Sequence, residues 1–373
     1  MGANVIGENV VWVPFDTMER FMTDAFKGIG VPEADAKVCA EVLITSDKRG
    51  IDSHGVARFK TIYYDRIKDK IQHPVTNFEI VREGPTTVVI DGHDGMGHVI
   101  SKRAMQMCID KAKKLGMGMA AVRNSTHYGI AGYYPLMACA AGMIGITGTN
   151  ARPSVAPTFG VENMLGTNPL TFGLPTDEEF PFVLDCATSI TQRGKIEVYA
   201  RAGKAMPAGW VIDAQGGTKT DSKAVLQELI QGTSALVPLG GIGEETAGYK
   251  GYGYCTVVEI LSAALQGGGF MKALLGFENG KKAPYHLGHF FMAVDIEAFC
   301  SLAEFKKTAG DICRQLRASK KMPGAERIYT AGEKEHLAWL VRKDKGVPVN
   351  AELQKEVKAV QAELGLKQYK FPF

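Results

Sequence analysis

The stretch VVIDGHDGMGHVIS, Val88 to Ser101, runs from a strand pattern through glycines into a helical pattern. A mononucleotide-binding βαβ unit places G-x-G-x-x-G at such a junction, because each glycine admits a close approach of backbone to ligand or of helix to strand. Gly95 and Gly97 fit the first two positions, but Ile100 stands where the third glycine belongs. A second candidate, GGIGEETAG at 240–248, offers Gly241 and Gly243 followed by Thr246, with no clear strand feeding it. Neither is followed by an acidic residue at the expected spacing after a strand. A dinucleotide bound by this chain is therefore expected on another fold. Two readings of 92–97 stand open: a turn whose glycines supply unusual backbone angles, or a functional loop.

Outward from this turn, the middle of the chain alternates. FEIVREGPTTVVIDG reads as two strands around a Gly84-Pro85 turn, followed by a helix over 102–115 and the strand MGMAAVRN. A helix at 130–141 and the strand MIGITGTN come next; FPFVLD and GHFFMAVD are further strands. Helical runs lie near 189–202, 222–231 and 249–266. Both chain ends are helical instead. DTMERFMTDAFKGIG opens on a capping-box pattern, Asp16 with Glu19, and stops at Gly28 and Gly30. Pro32 starts a second helix, and a third runs from about His54 to Lys70. After Phe299 the helical stretches are 299–318, 333–344 and 351–364. The expected architecture is mixed α/β: residues 1–74 with 297–373 as a helical domain, and 75–296 as a central domain.

Composition bounds the function. The 373 residues are 45% hydrophobic and 22% charged, with a net charge of +3. That is ordinary for a globular protein and too weakly basic for a nucleic-acid footprint. Seven cysteines without a C-x-x-C pair point to reduced thiols in a cytoplasmic protein and no zinc site. The start, MGANVIGENVVWVPFD, lacks the basic and apolar segments of a signal peptide. Residues 124–151 carry no formal charge, yet His127, Pro135 and several glycines argue against a membrane span, which needs about 20 mostly apolar residues.

Three places carry candidate chemistry. DKRGIDSHGVARFK, Asp47 to Lys60, crowds Ser53, His54 and Arg58 at a helix junction. With Asp52 or Ser53 as N-cap, His54 sits in the first turn, and Arg58, four residues on, shares its face. A helix start favours a neutral histidine and an anion, and Arg grips carboxylates bidentately. An exposed capping turn is the plainer reading. RNSTHYGIAGYY places His127 past a strand end, where site residues concentrate, although a lone histidine is as readily structural. The loop GGIGEETAGYKGYGY, with Lys250 entering a helix, reads as an anion-binding helix start or as a flexible turn. His286 and His289 lack a third metal ligand nearby. No G-x-S-x-G occurs, and Ser53 directly precedes His54, which is poor geometry for a serine hydrolase.

Together, SDKRGIDSHGVARF, RNSTHYGIAGYY, LGTNPLTFGLP, FVLDCATS, RGKIEVYARAGKAMPAGWVID and GGIGEETAGYKGYGY resemble the malate/L-lactate dehydrogenase type 2 family over about residues 14–350. The resemblance implies a nicotinamide-dependent oxidoreductase with a non-Rossmann fold, usually a homodimer with sites near the subunit boundary. It implies substrate binding and proton transfer for Ser53, His54 and Arg58, and a place beside nicotinamide and substrate for His127, Tyr128 and Gly129. Thr167, Asn168, Asp185, Cys186, Ala187, Lys195 and Lys250 fall to the cofactor, with Met322, Pro323 and Gly324 as a C-terminal cofactor segment. Lys195 stands where some reductases of the family carry an acidic residue, which disfavours imine reduction. Ala331 departs from an expected proline, and 213–239 matches less well than its flanks. The expected reaction is hydride transfer on a 2-hydroxy acid, with His54 or His127 as acid/base and Arg58 on the carboxylate. Malate/oxaloacetate leads; lactate-, sulfolactate- and ureidoglycolate-type acids and keto or imino acids follow. NAD is the expected cofactor, with NADP open because Arg327 or Lys321 could reach a 2′-phosphate. The rival from another class is an inactive ligand-binding scaffold.

Overall fold

The structure, a computed structural model, describes residues 10–373. Helix α1 (Phe15–Gly28) buries Phe15, Met18, Phe21, Met22, Ala25 and Phe26 on one stripe against α2 (Glu33–Lys48). The expected capping box does not form. Asp16 lies inside the first turn, and the Pro14 carbonyl takes the Thr17 and Met18 N–H groups, both at 3.1 Å. A proline before the helix fixes the entry angle and makes a side-chain cap unnecessary.

The third helix also departs from expectation. Asp52–His54 is a single 3₁₀ turn, and Gly55 separates it from a helical run that starts at Val56 and ends at Lys68. Within that run Phe59–Tyr64 is π-helical. The Asp47 carboxylate causes the break: it accepts the Val56 N–H at 2.8 Å, and a Cβ on residue 55 would lie 2.2 Å from it. The cap is thus a residue eight positions upstream of Gly55, beyond the reach of any local capping pattern.

The ends meet. Strand Val11–Val13 pairs antiparallel with Val347–Val349, and one core joins α1, α2 and the 56–67 run to Val347, Val349, Leu353, Val357 and Val360. The central sheet has seven strands: β1 (Glu79–Glu83), β2 (Thr87–Asp91), β3 (Met117–Ser125), β4 (Met143–Thr149), β5 (Leu170–Leu174), β6 (Phe182–Cys186) and β7 (Leu287–Asp295), in the order β1-β2-β3-β7-β4-β5-β6. Among the described residues, β2 and β3 are its only parallel neighbours. They are joined by α3 (Gly97–Leu115), and a sheet with one such crossover is not doubly wound.

The opening stretch is this crossover, and its glycines serve packing. A Cβ at Gly97 would meet the Thr126 and His127 carbonyls at 2.3 and 2.5 Å, and one at Gly92 would meet Ile100 Cδ1 at 2.6 Å. Ile100 is fully buried against the sheet, occupying with a side chain the space a third glycine would leave.

The uncharged stretch 124–151 becomes α4 (Tyr133–Ala140) and β4. No helix among the described residues is long and apolar enough to cross a membrane. Helices α5 (Arg193–Arg201) and α6 (Ser222–Gln231) pack on a three-stranded sheet of Val211–Asp213, Thr218–Lys219 and Ser234–Leu236 around their own small core. Helix α7 (Gly248–Ala263) lies against the central sheet, and α8 (Leu302–Ala318), α9 (Glu333–Arg342) and α10 (Ala351–Glu363) close the chain. All seven cysteines are free thiols.

Candidate active site

The 52–54 turn is held from the C-terminal third. Arg342, almost fully buried, donates to both Asp52 carboxylate oxygens at 2.5 and 2.8 Å and to the Asp47 carbonyl at 2.8 Å. The turn presents Ser53 Oγ to His54 Nδ1 at 2.8 Å, and Arg58 Nε donates to the Ser53 carbonyl at 2.7 Å. His54 and Arg58 therefore sit together because Arg58 folds back onto the turn. They do not share a continuous helix face, since Gly55 intervenes.

His127 follows the end of β3. Gly129, at φ 82°, aims its N–H at His127 Nδ1 over 3.2 Å, and the Tyr63 hydroxyl meets the same nitrogen at 2.5 Å. An amide can only donate, so the neutral ring carries its proton on Nε2. The His54 and His127 rings face one another at 5.8 Å between centroids, tilted by 21°. Both line a cavity of about 260 Å³ shared with Thr149, Asn150, Ala151, Thr167, Asp185, Ala187, Gln192 and Glu335. A second cavity of about 470 Å³ shares Ser53, Asp185, Ala187 and Gln192 with it, and adds Arg58, Cys186, Lys195 and Trp210. Residues about seventy apart in sequence thus meet around one cleft.

Burial sets the protonation states. It holds the His54 pKa down to about 4, with Arg58 adding to the effect. It holds His127 well below the usual histidine range, with His54 and Arg66 contributing repulsion. Both rings are neutral at physiological pH, as proton exchange with a hydroxyl requires. Asp185, on the shared wall, accepts from the Gly132 N–H at 2.7 Å and Thr171 Oγ1 at 3.2 Å; burial raises its pKa and the Gly132 bond opposes the rise.

The other candidates divide. Gly129, Thr167, Cys186, Ala187 and Lys195 line the cleft. The Tyr128 ring is buried, stacked on His289 at 4.5 Å and Tyr134 at 4.9 Å, so it contributes wall. Asn168 is fully buried, donating to Glu259 at 2.7 Å and accepting the Ala151 N–H at 3.1 Å. It shapes the loop carrying Thr167 and leaves no side-chain atom for a ligand. Lys250, Met322, Pro323 and Gly324 are exposed and line neither cleft cavity. The glycines beside Lys250 are packing residues: a Cβ at Gly248 would meet the Gly241 carbonyl at 2.0 Å, and one at Gly251 the Leu239 carbonyl at 2.2 Å. Arg327 is paired with Glu333, and Lys321 Nζ donates to the Glu326 carbonyl at 2.8 Å.

Sequence reasoning missed Tyr63, Gln192, Glu335 and Arg342. Tyr63 turns toward His127 within the π-helical stretch, where α-helical spacing misplaces it. Glu335 and Arg342 come from α9, distant in sequence, and no local motif announces them.

A family model described as malate/L-lactate dehydrogenase matches residues 13–358. A malate dehydrogenase of Pyrococcus horikoshii is 42% identical over 97% of this chain and 98% of its own length. An L-sulfolactate dehydrogenase of Methanocaldococcus jannaschii is 36% identical over 93% of this chain and 96% of its own. The crystal structure of malate dehydrogenase from Entamoeba histolytica superposes with a TM-score of 0.94 at 44% identity, covering 98% of this chain and all of that one. The mixed, non-Rossmann sheet, the cleft built from both chain ends and the match along nearly the whole sequence lead to one assignment: the chain belongs to the malate/L-lactate dehydrogenase family.

Proposed function

We propose that this chain is a nicotinamide-dependent 2-hydroxy acid dehydrogenase whose substrate pair is malate and oxaloacetate. The observation that carries the proposal is the pair of neutral histidines, 5.8 Å apart, in a cleft that also holds Arg58. The malate dehydrogenases among its relatives supply the substrate choice.

His127, with its proton on Nε2, donates a hydrogen bond to the substrate oxygen. His54 gives Nδ1–H to Ser53 Oγ and takes the hydroxyl proton on Nε2, returning it in reduction; such acid–base help is worth about 10²–10⁴ in rate. Arg58, anchored through Nε to Ser53, turns its remaining N–H groups to the substrate carboxylate and fixes the reacting distance. A nicotinamide fits the rest of the cleft. The N-terminus of α5 has no side-chain cap; the Lys195 N–H donates to the Gln192 carbonyl at 2.9 Å, the N–H groups of Arg193 and Gly194 precede it, and Lys195 and Arg58 line the same cavity. That is a setting for an anionic pyrophosphate. His127, Gly129, Thr167, Cys186, Ala187 and Lys195 would hold the group, with Tyr128, Asn168 and Asp185 shaping the wall; when bound it accepts or supplies the hydride. NAD is favoured over NADP because Arg327 and Lys321 are already engaged.

Lys250 and Met322–Gly324 would reach the cofactor only across a subunit boundary, so a homodimer is part of the proposal. The exposed apolar row Tyr254, Val257 and Ile260 on α7 supports it. The division into 1–74 with 297–373 and 75–296 belongs to the same proposal, supported by the core shared between the two ends. The test is absorbance at the reduced-nicotinamide band. Oxaloacetate, pyruvate, sulfopyruvate, a ureidoglycolate-type acid and a cyclic imine are each offered with both cofactors. Oxaloacetate with NADH should be turned over best; silence across the panel by folded protein would favour the scaffold reading.

A further inference from the structure

Tyr63 is fully buried, and its side chain lines neither cleft cavity. Its ring is held by neighbours: Phe26 meets it edge-on at 6.4 Å between centroids, and the His98 ring lies at 4.4 Å. The backbone here, Phe59–Tyr64, is π-helical, a rare form that recurs where a helix re-aims a side chain at a site. It sends the hydroxyl out of the helical core to a residue 64 positions away, meeting His127 Nδ1 at 2.5 Å. The Gly129 N–H comes to the same nitrogen at 3.2 Å. That N–H can only donate, so Nδ1 offers a lone pair and the hydroxyl must donate as well. His98 does not compete for the hydroxyl proton, since neither of its ring nitrogens has a partner among the described residues. Nor does Tyr63 take the substrate proton. It stands behind the cleft wall, and burial pushes its pKa up, so it keeps its own proton.

We propose that Tyr63 is a positioning residue: its hydroxyl, with the Gly129 N–H, holds His127 Nδ1 unprotonated and so keeps Nε2–H turned to the substrate oxygen. This rests on the dehydrogenase reading and deepens it. Two donors on Nδ1 disfavour both the other tautomer and the imidazolium, which makes His127 a hydrogen-bond donor and leaves proton transfer to His54. Negative charge grows on the substrate oxygen during reduction, so a well-aimed Nε2–H stabilises the transition state more than the bound keto acid. Tyr63 therefore acts on turnover through His127, without touching substrate or cofactor.

The experiment labels full-length wild type and Tyr63→Phe with ¹⁵N-histidine and identifies the His127 signals by their loss in His127→Gln. Wild type should show His127 as the Nε2–H tautomer, with its Nδ1 resonance displaced by hydrogen bonding from that of a free imine nitrogen. Tyr63→Phe should move that resonance back toward the free position or bring in the Nδ1–H tautomer. A fluorinated tyrosine at position 63 keeps the packing and donates more strongly, so it should move the resonance the other way; it decides the matter if Tyr63→Phe does not fold. A protonated Nδ1 in wild type, or an unmoved resonance in a folded variant, would overturn the assignment. In steady-state kinetics Tyr63→Phe should lower kcat for oxaloacetate about 10-fold, the effect of one hydrogen bond, with KM and NADH affinity nearly unchanged. A loss confined to KM or to NADH affinity would reduce Tyr63 to a packing residue. The nitrogen resonances need no turnover. If wild type reduces no keto acid, the dehydrogenase reading fails, while the hold on the tautomer stands or falls by the spectra.

Discussion

Replacing His98 by Leu should flatten the acid limb of the protein's stability. His98 is fully buried on α3, with its ring 4.4 Å from that of Tyr63, and neither ring nitrogen has a partner. Burial holds its pKa down to about 3, and the same cause holds His289, also fully buried, at about 3. The unfolded chain takes up these protons near pH 6.5 and the folded chain refuses them. Stability is therefore whole above pH 6.5 and drains as pH falls toward 3, at about 1.4 kcal/mol per pH unit for each ring. Between pH 7.5 and 4.5 each histidine accounts for roughly 2.5 kcal/mol, so the pair removes about 5 kcal/mol, a large share of a typical domain's stability. Urea unfolding followed by circular dichroism at the two pH values reads this directly. His98→Leu should lose about 2.5 kcal/mol less than wild type over that interval. A variant that loses as much as wild type would refute the claim that His98 is held neutral behind the site.

The remaining predictions follow from single contacts. Arg342→Met strands Asp52 and frees the turn that carries Ser53 and His54; breaking a buried pair costs about 3–5 kcal/mol, read by urea unfolding, and kcat/KM should fall with it. Gly97→Ala drives a Cβ to 2.3 Å from the Thr126 carbonyl and 2.5 Å from that of His127, both backbone atoms. It should unfold the protein or displace His127, and a wild-type melting temperature with full activity would contradict that contact. Arg58→Lys keeps the charge and loses the fork, so steady-state kinetics should show a raised KM for oxaloacetate and a smaller change in kcat.

The opening stretch shows how much of the architecture was readable. A missing third glycine correctly excluded a doubly wound fold, because the buried Ile100 side chain fills the space in which that glycine would let helix and strand close up. The strands were legible where apolar alternation met turn residues, as in 79–91 and 143–149. What escaped was everything decided by distant partners. The break at Gly55 is imposed by Asp47, the 52–54 turn is braced by Arg342, and Tyr63 turns toward His127 within π-helical backbone. At 240–251, Gly248 and Gly251 serve the approach of a helix to its own preceding loop, a packing demand that glycine spacing alone does not separate from a ligand loop.

The central claim is that His54 moves the substrate proton while His127 holds the substrate oxygen. Its most direct test is oxaloacetate-dependent NADH oxidation by His54→Ala and His127→Ala, measured beside NADH affinity from fluorescence titration. Turnover should fall in each variant by about 10²–10⁴ while NADH affinity changes far less. Near-wild-type turnover in both would contradict the account.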